Sequence, residues 1–307
     1  MAFAVRTHLR ASSTRVLPSY ANELATRLRG VADTHILMEH SGSDAEVAAL
    51  AQLRLQLADG GGGSGGGGSG VRLFAHSWAD VLAFFGFREW PHPPKTRFAD
   101  GQGSGQGGPP GWIIHTPSLL LWLASQPGGY AAYKHVWVVE HDAIFRGDLA
   151  SLVHTYALES ADYLGKPAAD RGASAAVASG GRAAHRTWSP QLVGHVYIKR
   201  EHAERYSTRL LLALKDAFSL GLSGWGESHE ITICHLLPWC RVRLLCCLGH
   251  PYCQNKGPCT VTRARWDSPV GLARERWYHA VHLVDGNDAA AELALPRRNS
   301  SWLEPWV

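Results

Sequence analysis

An apolar run ends in two carboxylates within the segment Tyr133–Leu149. His135–Val139 reads as a buried-type strand and runs straight into Glu140-His141-Asp142. Acidic residues two apart at a strand end can point the same way, because side chains alternate with a period of two. With no cation beside them in the sequence they repel, and a divalent ion would relieve that. Mg²⁺ or Mn²⁺ takes hard oxygen ligands and shares them with a phosphate. The ordinary alternative is that Glu140 caps a loop and Asp142 makes a turn.

A second cluster is cysteine. All six cysteines of the chain fall between Cys234 and Cys259. Their spacing does not match the close cysteine pairs of zinc modules, although His235 and His250 keep a zinc site among the alternatives. Disulfides in an oxidising compartment are the second alternative, and reduced thiols in a cytosolic protein the third. Asn299-Ser300-Ser301 matches the acceptor pattern for N-glycosylation. Two other formal matches fail on context. Gly62–Gly66 fits the nucleophile-elbow pattern, but polyglycine supplies neither the strand before nor the helix after it. Gly103, Gly105 and Gly108 fit a dinucleotide fingerprint, but no strand precedes them and Pro109-Pro110 follows.

The string from Val136 to Leu149 resembles the D-x-D region of GT-A-fold glycosyltransferases. It is especially similar to a eukaryotic family with a vWvvE-x-Dv-f-G-d-w motif. Ala4–His8, the helix after it and Thr34–Glu39 resemble the first βαβ of that fold, the unit that holds the nucleotide. Ser189-Pro190-Gln191 and the strand ending at Arg200 resemble a later core strand. Ser223–Glu230 resembles an acceptor-side loop ending in a carboxylate. The first motif carboxylate is Glu140 where the family pattern has Asp.

The resemblance implies transfer of a sugar from a nucleotide-sugar donor to a glycan or glycoprotein acceptor, with Mn²⁺ or Mg²⁺ clamping the diphosphate. The leaving group gains negative charge in the transition state, and a metal stabilises it as a Lewis acid. On this reading Asp142 is a direct metal ligand, and Glu140 is a second ligand or a ribose or sugar contact. His279 or His282 stands where such enzymes place a late histidine on the metal or diphosphate. Arg6, Thr7 and His8 close the first strand and would contact the nucleotide. An inverting enzyme needs a carboxylate base. Glu227 is the candidate, with Glu230 one helical turn on; the alternative for Glu227 is a helix-start charge favoured by the dipole. The resemblance also implies a Golgi-type lumenal domain whose anchor lies outside this chain, with a cytoplasmic protein as the alternative. Two competing functions are a catalytically inactive relative of the same fold and a Cys/His zinc-binding interaction protein.

The elements that must position these residues follow from periodicity. Phe3–His8 reads as a strand. Thr14–Arg29 reads as a helix, with Val16, Tyr20, Leu24 and Leu28 on one face. Thr34–Met38 is the next strand and Ala45–Leu57 the next helix. Helix is expected over Ser118–Ser125, Asp148–Ser160 and Glu201–Leu220, and strand over His135–Val139 and Leu192–Lys199. Alternating strands and helices predict an α/β/α sandwich, Rossmann-related and GT-A-like, around a mostly parallel sheet. In such sheets ligands bind beyond the carboxyl ends of the strands. The expected organisation is one domain over residues 1–285 and a tail over 286–307. Glycine-rich insertions occupy 60–70 and 101–111, and the cysteine-rich segment 234–259.

Composition narrows the function classes. Hydrophobic residues make up 45% and charged residues 18%, enough apolar material for a real core. The net charge of +4 is scattered along the chain, which argues against a nucleic-acid partner. No apolar run approaches the roughly 20 residues of a membrane helix.

Overall fold

The computed structural model describes residues 1–8, 11–59, 70–89, 115–141, 143–165, 192, 203–223, 229–245, 259–262, 276–278 and 281–284. Its strands are β1 (Ala2–His8), β2 (Asp33–His40), β3 (Val71–Ser77), β4 (His135–Glu140), β5 (Ile144–Arg146), β6 (Tyr163–Gly165), β7 (Ala203–Ser207), β8 (Val242–Leu244), β9 (Cys259–Thr262), β10 (Arg276–Tyr278) and β11 (Val281–Val284). Its helices are α1 (Ala11–Arg27), α2 (Asp44–Asp59), α3 (Trp78–Phe85), α4 (His115–Ala124), α5 (Leu149–Thr155), α6 (Thr208–Ser219) and α7 (His229–Leu236).

Seven strands form one sheet in the order β3-β2-β1-β4-β7-β6-β8. The first four are mutually parallel. β7 runs antiparallel to both β4 and β6, and β8 is parallel to β6. Alternation along the strands gives two buried faces. Phe3, Val5, Trp137 and Val139 pack with Leu24 of α1, Leu28 just beyond it, and Leu50, Leu53 and Leu57 of α2. Ala2, Ala4, Val136 and Val138 pack with Leu119, Leu120 and Leu123 of α4 and Leu210, Leu211 and Leu214 of α6. A parallel sheet covered on both faces has continuous apolar strands, as His135–Val139 shows. The architecture is the expected α/β/α sandwich with a mostly parallel sheet.

The helix expected over Glu201–Leu220 is split. Residues Ala203–Ser207 form β7, and the helix starts at Thr208 with Ser207 as its cap, Leu210 N–H donating to Ser207 Oγ at 3.1 Å. Glu204 and Arg205 look like the solvent face of a helix, yet both are buried. Arg205 donates to main-chain carbonyls through both Nη atoms, and Glu204 accepts the Tyr206 hydroxyl. Residues 71–85, for which periodicity suggested no element, form β3 and α3. Ser77 and Asp80 cap α3 reciprocally. Residues 60–69 and 101–111, the strand expected at Leu192–Lys199 apart from Leu192, and the tail lie outside the described residues.

At the amino end of the sheet, His35 of β2 packs edge-on against Trp122, ring centroids 4.8 Å apart. Its Nε2 lies 3.1 Å from the Tyr133 hydroxyl, which donates to Asp33 at 2.9 Å. Burial, with Arg72 adding to it, holds the imidazole down at about 4. The folded value thus lies below the unfolded one of about 6.5. This contribution is fully present above about pH 6.5 and is lost as the pH falls toward 4, because only the unfolded chain takes up the proton. Stability should fall by about 2 kcal/mol from this residue between pH 7 and pH 5. His135, also lowered to about 4 chiefly by burial, acts in the same direction. Urea unfolding at the two pH values, repeated with His35→Gln, measures the His35 share.

Candidate functional site

The chain builds β1, β2 and β3 outward on one side, then crosses to place β4 on the other side of β1. The carboxyl ends of β1 and β4 therefore flank the point where the strand order reverses, the position at which open α/β sheets bind ligands. Arg6 and Thr7 lie in the last residues of β1, both buried, and His8 closes the strand. Glu140 closes β4 and is paired in register with Arg6.

By the period of two, Arg6 and Glu140 share the face that covers α4 and α6. Arg6 Nη2 stands 3.7 Å from Glu140 Oε1. The sequence places no cation beside Glu140; the fold does, from the neighbouring strand. Relief of carboxylate repulsion thus comes to Glu140 from a guanidinium.

Beyond Glu140 the backbone is held closely. His141 N–H donates to the Arg6 carbonyl at 3.1 Å and Ala143 N–H to the Glu140 carbonyl at 3.0 Å. Asp142 lies outside the described residues. Its successor Ala143 is buried, and its carbonyl accepts the Tyr20 hydroxyl at 2.8 Å. Arg27 donates to the carbonyl of Phe145 at 3.1 Å and to that of Gly147. Asp148, also in the motif, caps α5 by accepting from Ser151 N–H at 3.0 Å.

β5 pairs antiparallel with β10, and Phe145 packs on Trp277 with ring centroids 5.3 Å apart. The register sets Tyr278 opposite Ile144. The residue before His279 is therefore paired with the residue two places after Asp142. No periodicity in the sequence shows this pairing. His279 lies outside the described residues, and His282 belongs to β11, opposite Thr260 of β9.

The acceptor-side candidates sit elsewhere. Glu227 lies outside the described residues. Glu230, in the first turn of α7, is fully buried and accepts the Thr116 hydroxyl from the first turn of α4. A carboxylate so covered and bonded is placed to fix the start of α7 against α4. Cys234 near the end of α7 forms a disulfide with Cys240, Cα atoms 5.2 Å apart. The two bond each other because one turn of chain after α7 brings them into range. Cys246, Cys247 and Cys253 lie outside the described residues.

Glu140 is the hard oxygen donor that the described residues place at this strand end. Among the described residues no cluster of three His, Cys, Asp or Glu side chains is close enough to hold a metal ion. The residues that sequence reasoning missed are Tyr20 and Arg27. Tyr20 reads as one more member of an apolar stripe, and the signal was its hydroxyl, which needs a partner when buried.

No protein-family model matches the chain, and no curated protein matches it by sequence. Solved structures do resemble it. Mouse xyloside xylosyltransferase 1 in its apo form aligns at 9% identity over 91% of this chain and 96% of its own, TM-score 0.42. The galactosyltransferase LgtC, solved with donor and acceptor sugar analogues, aligns at 10% identity over 91% of this chain and 86% of its own, TM-score 0.40. The 4-diphosphocytidyl-2C-methyl-D-erythritol synthase of Anaerococcus prevotii aligns at 8% identity over 79% of this chain and 87% of its own, TM-score 0.39. Likenesses of this size assign neither substrate nor mechanism to this chain.

Proposed function

We propose that the chain is a nucleotide-sugar-dependent glycosyltransferase that uses Mn²⁺ or Mg²⁺. The observation that carries the reading is the E-x-D sequence whose Glu140 closes β4, at the switch point shared with β1. Arg6, Thr7 and His8 take the nucleotide side. Asp142 holds the metal, with Glu140 and His279 or His282 as further ligands or diphosphate contacts. When bound, the ion supplies Lewis-acid stabilisation of the departing diphosphate. Glu140, ion-paired to Arg6, sets the guanidinium at the strand end, where it can meet anionic oxygens. Glu227 takes the proton of the acceptor hydroxyl, and Glu230, bonded to Thr116, steadies the helix that follows. The acceptor is a glycan or glycoprotein.

The Cys234–Cys240 disulfide favours an oxidising compartment, in keeping with a secretory-pathway site. It also weighs against the zinc-module reading, since bridged sulfurs are not thiolate ligands. Among the described residues no helix is long and apolar enough to cross a membrane.

The test is nucleoside diphosphate release from a panel of nucleotide sugars, with Mn²⁺ and with EDTA. One donor should be turned over, and chelation should stop it. Binding of a donor without turnover, across a range of acceptors, would favour the inactive relative. Neither binding nor turnover of any donor would end the glycosyltransferase reading.

A further inference from the structure

Arg6 is a charged side chain that the fold buries at the carboxyl end of β1. Its side chain is 9% exposed, and its Nε has no hydrogen-bond partner among the described residues. Nη2 stands 3.7 Å from Glu140 Oε1, close enough to offset charge but too far for a hydrogen bond. Arg205 in β7 is buried more deeply, yet it donates through both Nη atoms to three main-chain carbonyls. A guanidinium carries several N–H donors, and leaving buried ones unused is costly. At Arg6 that cost falls where the strand order reverses, the place at which open α/β sheets take ligands. Register holds the group there. Arg6 lies opposite Leu37 on one side and Glu140 on the other, and its carbonyl accepts the His141 N–H at 3.1 Å. Such a group lacks an acceptor, and the planar fork of a guanidinium matches the oxygens of a phosphate.

We infer that Arg6 binds a phosphate of the donor directly, and that this hold on the nucleoside diphosphate needs no metal ion. Glu140 keeps the guanidinium at the strand end and offsets part of its charge. The inference rests on the glycosyl-transfer reading and narrows it: of the nucleotide, Arg6 takes the phosphate end and not the base. Chelation would then stop turnover while the nucleoside diphosphate stays bound. An arginine that served only to neutralise Glu140 would affect stability, and it would not distinguish a nucleoside diphosphate from its nucleoside.

The experiment measures binding to the full chain in EDTA, and again with Mn²⁺. The probes are UDP, GDP, ADP and CDP by calorimetry, each beside its nucleoside by ligand-observed NMR. In EDTA at least one diphosphate should bind the wild type about tenfold more tightly than its nucleoside, or better. Arg6→Met should raise the Kd for that diphosphate about tenfold or more, the size of a lost hydrogen bond to a charged group, with the nucleoside within about twofold. Circular dichroism melts check that the variant folds. If it does not, Arg6→Lys decides: it keeps the charge, loses the fork, and should raise the diphosphate Kd at least about threefold with the nucleoside unchanged. A rise below about threefold in a folded Arg6→Met protein overturns the inference, as does an equal loss for diphosphate and nucleoside. Diphosphate binding to the wild type that appears only with Mn²⁺ also overturns it, and leaves the donor reading standing. No diphosphate binding under either condition overturns both together.

Discussion

Changing Asp142 to alanine should reduce transfer about a thousandfold while the protein stays folded. Arg6 stands 3.7 Å from Glu140, so the first carboxylate of the motif already has a protein cation. On the proposed reading, Asp142 is left as the carboxylate that the metal needs. Losing it removes stabilisation of the charge that develops on the departing diphosphate. Preorganised electrostatic groups of that kind are worth about 3–4 kcal/mol. The loss belongs in kcat, read from initial rates of nucleoside diphosphate release at saturating donor and Mn²⁺. The melting temperature should stay within a few degrees of wild type, because Ala143, Phe145 and Gly147 keep their own anchors on α1. Activity within about threefold of wild type would show that Asp142 does not clamp the leaving group.

The largest effect on stability should come from Arg205→Met. Arg205 is fully buried in the antiparallel strand β7, paired with Trp137 of β4. Its guanidinium donates to the carbonyls of Tyr156, of Glu159 at 2.9 Å and of Ala161 at 2.7 Å. These carbonyls lie on the segment that leads from α5 into β6. One side chain therefore satisfies the return path of the chain to its own neighbouring strand. Methionine matches the stem but takes the donor from the Glu159 and Ala161 carbonyls, while the Tyr156 carbonyl keeps the Glu159 N–H at 3.2 Å. Each acceptor so orphaned costs about 1–3 kcal/mol before relaxation, so the two together cost on the order of 2–5 kcal/mol. Urea denaturation should show a loss of about that size, with the melting temperature down by about 10 °C. A loss below about 1 kcal/mol would mean that water reaches those carbonyls freely.

These effects show what a single sequence makes legible. β1, α1, β2, α2 and β4 announce themselves, because both faces of a central parallel strand are apolar and a covering helix carries one apolar stripe. The E-x-D segment was visible because carboxylates at the end of such a strand need an explanation. β7 was misread because its charges are buried. A periodicity argument assumes that Glu204 and Arg205 face water, and it has no view of carbonyls that arrive from a distant loop. The Arg6–Glu140 pair depends on register between strands separated by most of the N-terminal half, and no local pattern encodes register. Tyr20 was counted as apolar for the same reason. Its aromatic ring belongs to the stripe on α1, while its hydroxyl answers to a main-chain oxygen that has no letter in the sequence. The link between β5 and β10 joins short strands too far apart for any turn signal to announce.

β7 reaches the sheet late in synthesis. When the ribosome has released Glu140, β3, β2, β1 and β4 can already associate, and β4 is then an outer strand. Its inner residues are wholly apolar, and along one side its amides and carbonyls await Ala203–Ser207. An apolar outer strand with free main-chain groups is a template for pairing with other chains. The nascent protein thus passes through a period in which its most hydrophobic strand is its least protected. Chaperone demand during translation, rather than the stability of the finished fold, is where that arrangement is felt.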